Sequence, residues 1–208
     1  VMCFGGDMSS EDWYRNEDWD ETIEREFYSK LKRARTQKDQ YLIIQALSLS
    51  ENHPDVTLRL VKEYFETKKN DFEDVRALLA KAAAYKKINQ LDKCISTYKE
   101  IIECEKASRT FQTQAYLDYP YLVATQKIES EYGEALSVLR ERFEQLTFTL
   151  DYFKWHATIA IINHDGLEAQ KALDVAQIKR SGFRFHKSLG LVGKEHERTI
   201  CILRKIST

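Results

Sequence analysis

The stretch from Asn70 to Glu105 constrains the fold most strongly, because it contains two apolar-striped segments without a proline. A polar break at residues 89–90 separates the two segments. Apolar residues recur at helical spacing in both, at Leu78, Ala82 and Tyr85 and at Cys94, Tyr98 and Ile101. Small residues such as Ala82 let a second helix approach closely, and the tyrosines fill the space between the axes. The pattern predicts an antiparallel helical hairpin.

Composition extends this prediction to the whole chain. Of 208 residues, 43% are hydrophobic and 31% are charged, which is typical of a globular protein with a substantial core. Two prolines and seven glycines are few chain breakers, and this favours long helices. We therefore expect an all-α fold, organised as one domain.

Related hairpins are predicted on both sides of this stretch. The first spans residues 36–69, where Thr36 and Asp39 resemble a capping box. The third is irregular, because Pro120 predicts either a kink or a new helix start near Asp118. In the fourth, a turn at residues 165–166 separates the two helices. When the small residues of the second helices are set in register, their separations are 37, 41 and 34 for Thr57, Cys94, Ala135 and Ala169.

The flanking segments are predicted to cap this array. Residues 1–35 read as a flexible lead and an amphipathic helix with apolar residues at Trp19, Ile23, Phe27 and Leu31. Trp13 and Tyr14, which precede that stripe, either complete the end cap or serve as exposed anchors for a partner. Residues 180–208 read as a compact loop followed by a capping helix from Glu195 to Ile206.

Residues 36–179 resemble tetratricopeptide repeats, which have a period of about 34 residues. Large, small and aromatic residues alternate in the order of that family, although Gln126 stands where the second hairpin has Tyr85. The segments DWYRNEDW, FYSKLKRARTQKDQYLIIQA, TQAYLDYPYLVAT and SGFRFHKSLGLV are similar to those of a group of small bacterial repeat-containing proteins. The resemblance implies an α-α superhelix, a bacterial source and a role in protein binding.

A search for chemistry favours a protein that is not an enzyme and holds no cofactor or metal. His156 and His164 lie eight residues apart on one predicted helix, about 12 Å at 1.5 Å per residue, too far for one metal ion. The four cysteines lack metal-ligand spacing and are expected to be reduced, as in cytoplasmic proteins. The sequence contains no phosphate-binding glycine loop, no GxSxG and no HExxH motif.

The predicted function is therefore a protein-interaction module with a concave face lined by the first helices. Placing Tyr41, Leu78, Tyr119 and Phe153 at equivalent positions brings four cations near that face: Arg76, Lys86, Lys127 and Lys154. We expect a mildly basic groove that accepts an acidic peptide or protein edge.

Two other functions remain open. An immunity or inhibitor protein that neutralises a toxin or enzyme would use the acidic face from Asp7 to Glu26. An RNA-binding repeat protein would use Arg180, Arg184, Phe185 and Lys187, although the net charge of −1 argues against a dedicated nucleic-acid binder. Self-association through an uncapped end of the array also remains open, and no apolar run predicts a membrane span.

Overall fold

A computed structural model describes residues 12–107 and 112–208 of the chain. Within these ranges it contains ten α-helices, three short 3₁₀ turns and no strand, which confirms the all-α prediction. The chain divides into two compact units, an N-terminal unit of residues 1–112 and a C-terminal unit of residues 113–208. The sequence-based borders at 35/36 and 179/180 remain predictions.

The N-terminal unit is built from consecutive helices that pack on one another. They are α1 (Glu21–Leu31), α2 (Lys38–Leu49), α3 (Pro54–Thr67), α4 (Asp74–Lys87) and α5 (Leu91–Ala107). Helix α2 contacts α3, and α4 contacts α5; the two pairs meet through α3 against α4 and α2 against α4. Helix α2 therefore contacts both its own partner and the next first helix, α4.

The C-terminal unit repeats this order of contacts. Its helices are α6 (Ala115–Thr125), α7 (Tyr132–Glu141), α8 (Thr149–Asn163), α9 (Gly166–Ala176) and α10 (Glu197–Ile206). Helix α6 packs on α7 and α8, α8 packs on α9, and α10 packs on α9 and α8. The closing helix begins at Glu197 rather than at Glu195, because residues 194–196 form a 3₁₀ turn.

The small residues placed in register are all fully buried. Thr57, Cys94, Ala135 and Ala169 each have no exposed surface. Thr57 Oγ1 donates to the carbonyl of Ala46 at 3.0 Å, and Cys94 Sγ donates to that of Ala82 at 3.3 Å. These bonds run from the second helix to the backbone of the first, which requires the two axes to lie close together.

Three first helices end in the same way, with one residue in the left-handed conformation. These residues are Asn89, Lys127 and His164, with φ of 57°, 55° and 53°. The next amide in each case donates to the carbonyl five residues earlier, at 2.9 Å for Gln90 to Tyr85, 3.0 Å for Ile128 to Val123 and 3.1 Å for Asp165 to Ala160. This is the Schellman helix ending, which reverses the chain toward the second helix.

Pro120 lies inside α6, so neither of the two predicted alternatives, a kinked long helix or a start near Asp118, describes it well. The helix begins at Ala115, and Pro120 therefore removes one hydrogen bond from its first turns. Tyrosines compensate by fixing the helix to its neighbours. The hydroxyl of Tyr119 donates to Glu131 Oε2 at 2.7 Å, and that of Tyr121 lies 2.8 Å from His196 Nδ1. Burial raises the pKa of Tyr121 to about 12.

The close approach of α4 and α5 gives a first prediction. Ala82 is fully buried beneath Cys94, whereas the adjacent Ala83 is partly exposed. Ala82→Leu should lower the free energy of unfolding by about 1–3 kcal/mol, since extra methylenes in a packed core force the helices apart. Ala83→Leu is the matched control and should change it by about 0.5 kcal/mol or less. Equal effects in chemical denaturation would contradict the packing.

The left-handed helix ending gives a second prediction. A left-handed residue with a Cβ atom costs about 1–2 kcal/mol, and glycine avoids that cost. Lys127→Gly should therefore raise the free energy of unfolding by about 0.5 kcal/mol, after the added freedom of the unfolded chain is subtracted. Lys86→Gly, inside the last turn of α4, should instead lower it by about 1 kcal/mol. Thermal denaturation of both variants measures this difference, and the same sign in both would be inconsistent with the geometry.

Candidate functional site

An open groove crosses the N-terminal unit between α3, α4 and α5. It has a volume of about 580 Å³, within the range of about 300–1,000 Å³ that is common for binding pockets. Its floor is apolar and comes from Leu58, Val61, Phe65 and Tyr85. No local sequence pattern predicts this groove, because three helices contribute its walls. The one related feature in the sequence is Phe65, a second aromatic residue beside the buried Tyr64.

Charges of both signs surround this apolar floor. Lys62 Nζ lies 3.7 Å from Glu66, and Lys81 Nζ lies 3.9 Å from Glu100. The rim therefore carries two bases and two acids in loose pairs. Exposed pairs of this kind contribute about 0–1 kcal/mol to stability, so a partner could exchange them at little cost.

The cations predicted in the N-terminal unit have different environments. Arg76 donates to Glu73 Oε2 at 2.8 Å, and Glu73 is almost fully buried. Arg76 is therefore neutralised within the chain and is a weak candidate for binding a partner. Lys86 is exposed in the last turn of α4, where a cation also favours the helix dipole.

The cations predicted in the C-terminal unit divide in the same way. Lys154 donates to Asp118 Oδ1 at 2.6 Å, and only 17% of its side chain is exposed. Lys127 is exposed, but it lies just beyond the end of α6 in the left-handed position. A single basic groove formed by all four cations stays a prediction, and two of the four are already paired with acids of their own unit.

Trp13 and Tyr14 are partly buried rather than fully exposed, and a role for them as partner anchors stays a prediction. The Trp13 ring lies 5.6 Å from Phe27, and the Tyr14 ring stacks on Tyr41 at 4.4 Å. Both pack against the core of the N-terminal unit, as the end-cap alternative predicts. Burying these two rings removes apolar surface from water and so stabilises the N-terminal unit.

A buried glutamine holds this end cap in place. Gln45 on α2 is fully buried and donates to the carbonyl of Asn16 at 2.8 Å. Its Oε1 accepts the Asn16 amide at 3.1 Å and the Asn16 side chain at 2.9 Å. Three hydrogen bonds between two residues thus fix the segment before α1 on α2. A polar residue in the middle of the apolar segment 41–49 indicates that a polar partner is needed there, but it does not identify Asn16 as that partner.

The predicted acidic face is partly used to hold α1. Asp7 and Glu11 lie outside the described residues. Asp20 caps α1 by accepting two backbone amides, and Glu24 lies 3.1 Å from Arg59. Three exposed glutamates remain along this segment: Glu17, Glu21 and Glu26. A role for this face in toxin neutralisation stays a prediction.

A loop of the C-terminal unit brings together the four residues predicted to bind RNA. We call residues 178–190 the basic loop; Arg180, Arg184, Phe185 and Lys187 are all exposed there. The Ser181 amide donates to the Lys187 carbonyl at 2.8 Å and closes the loop on itself. Gly190, with φ of 66°, ends the loop, and its carbonyl accepts the Leu150 amide at 2.7 Å.

The two histidines considered as metal ligands have other roles. His156 Nδ1 bonds to Glu168 on α9, and His164 is an exposed helix-ending residue. Burial alone would raise the pKa of Glu168, but hydrogen bonds from Lys171 and His156 outweigh burial and lower it. Among the described residues, no group of three or more metal-ligating side chains is assembled. Cys94, Cys104 and Cys201 are free thiols, whereas Cys3 lies outside the described part.

Comparisons with protein-family models, with curated proteins and with solved structures find no match to this chain. The described helices include none with the length and apolar character needed to cross a membrane. The candidate surfaces therefore rest on their own geometry.

The Glu168 pair gives a third prediction. Because folding lowers the pKa of Glu168, its stabilising effect is present above the carboxyl's unfolded pKa of about 4.3 and is lost as the pH falls through the lower folded value. Wild type should exceed Glu168→Gln in unfolding temperature at neutral pH, and the difference should shrink on acidification. Glu141→Gln, at an exposed site on α7, is the control and should follow the wild-type profile. A wild-type advantage that stays constant down to low pH would contradict this linkage.

Proposed function

We propose that this chain is a non-catalytic, tetratricopeptide-like scaffold that binds a protein partner in the groove of its N-terminal unit. The proposal is supported by one observation above all, the apolar floor of Leu58, Val61, Phe65 and Tyr85 left open between three helices. Apolar side chains gathered in a concave surface are stabilised when a partner covers them.

The partner we propose is an amphipathic helical segment. Grooves between helices recognise such segments through apolar residues at positions i, i+3 or i+4 and i+7. The rim of Lys62, Glu66, Lys81 and Glu100 is neutral as a set, and it suits a segment whose flanks carry both signs. This differs from the acidic partner expected from the four predicted cations, two of which pair with their own unit.

Tyr85 is the residue of the groove that we propose as the main contact for the partner's apolar face. Lys93 Nζ lies over the Tyr85 ring, 5.5 Å from its centre. Tyr85 also lines the groove. Tyrosines placed in this way are frequent hot spots, whose truncation costs about 2 kcal/mol or more of binding energy.

Site-directed photocrosslinking tests the groove. A benzophenone amino acid at position 62 or 100, both exposed on the rim, should attach to partner residues that fall on the apolar face of one helical segment. The same group at position 32, exposed at the end of α1, is the control and should give no such adduct. Identical adducts at all three positions, as mapped by mass spectrometry, would remove the groove from consideration.

The crosslinked segment, made as a peptide, then permits an affinity test. Tyr85→Ala should weaken its binding by about 30-fold, the value for a hot-spot residue. Phe72→Ala, an exposed aromatic outside the groove, should leave the affinity unchanged. Calorimetry measures both, and thermal unfolding verifies that each variant is folded. Equal affinities for wild type and the Tyr85 variant would refute the assigned anchor.

A further inference from the structure

Positive charge is concentrated at the C-terminal end of the chain. From residue 177 onward the sequence contains eight lysines and arginines against two glutamates, although the whole chain has a net charge of −1. Four of these bases are in the basic loop: Lys179, Arg180, Arg184 and Lys187. Within the described residues, none of the four forms an ion pair. Unneutralised cations grouped in one loop create a local field that attracts anions.

An exposed aromatic ring lies among these cations. Phe185 is 83% exposed, the largest exposure among the large hydrophobic side chains of the described part. The guanidinium of Arg184 lies 5.4 Å from the centre of this ring. The nearby Phe183 instead packs on Phe148, with ring centres 5.4 Å apart. The loop therefore fixes one phenylalanine to the unit and presents the other to solvent.

The loop encloses a shallow cavity of about 670 Å³. Lys179, Arg180, Phe185 and Lys187 line its wall, together with His186. The bond from the Ser181 amide to the Lys187 carbonyl holds the two sides of the loop together. Cations and an aromatic face are thus held on one concave surface before any ligand arrives, and this lowers the ordering cost of binding.

We propose that the basic loop binds single-stranded nucleic acid. Phosphates would lie in the cavity against Lys179, Arg180 and Lys187, and one base would stack on Phe185. Proteins that bind single strands combine a basic groove with aromatic faces in this way. A duplex keeps its bases stacked inside and offers none to Phe185, so the exposed ring favours a single strand. The cavity places cations and ring on a concave wall, which suits a strand better than a flat lipid surface.

Fluorescence anisotropy with labelled oligouridylate and oligothymidylate of about 12 nucleotides tests the proposal. Three phosphate contacts predict that the logarithm of the affinity falls against the logarithm of salt with a slope of about −2. Binding without salt dependence, or no binding to either oligonucleotide at low salt, would overturn the proposal.

Two variants separate the ionic from the stacking contribution. The double variant Arg180→Glu with Lys187→Glu should reduce the slope to about −0.7, because two of the three phosphate contacts are lost. Phe185→Ala should weaken binding about tenfold and leave the slope unchanged, because stacking releases no counterions. All three positions are exposed, so the fold should be retained, as circular dichroism would verify.

Matched controls use the same changes elsewhere. Arg204→Glu with Lys205→Glu changes the net charge equally on exposed positions of α10, and Phe72→Ala removes an exposed ring from the N-terminal unit. Both should bind as wild type does. Equal losses in the control and loop charge variants would show a general charge effect and refute the site.

Two further probes distinguish the ligand classes. A duplex of the same length bound as tightly as the single strand, with no effect of Phe185→Ala, would overturn the single-strand assignment. Vesicles of phosphatidylserine and phosphatidylcholine that bind the loop while both oligonucleotides do not would show a membrane-surface site instead.

Discussion

Close contact between paired helices depends on a small residue at one position of each second helix. Thr57, Cys94, Ala135 and Ala169 occupy this position and are fully buried. In two of the four pairs the small side chain also donates to a carbonyl of the first helix. The helices can therefore pack backbone to backbone, and the larger tyrosines and leucines fill the spaces above and below that contact. The remaining surfaces of each unit follow from this packing.

The sequence predicts this packing of paired helices well, because the packing depends on residues three and four apart along one helix. Asp165 illustrates a local signal that can be read directly, since its side chain caps α9 after the turn predicted at residues 165–166. The hydrogen bonds between Asn16 and Gln45 could not be predicted, because these residues lie far apart in the chain and only folding brings them together. The burial of Trp13 and Tyr14 depends on the same contact.

Surface charge is harder to read than core packing. Arg76 and Glu73 are three residues apart, and helical spacing alone could have indicated their pairing. Lys154 and Asp118 belong to different helices, so no local pattern predicts that this lysine is neutralised. The groove between α3, α4 and α5 is hidden in the sequence for the same reason, whereas the basic loop is contiguous and its chemistry is visible from its composition.

Gly190 connects the basic loop to the start of α8 in a way that has a mechanical consequence. A Cβ atom at this position would lie 2.6 Å from the Phe148 side chain, so the backbone and the ring are in direct contact. The carbonyl of Gly190 also accepts the amide of Leu150 in the first turn of α8. Loop and helix start therefore behave as one cooperative element. Whatever frays the beginning of α8 must also release the loop, and whatever clamps the loop will slow the opening of that helix.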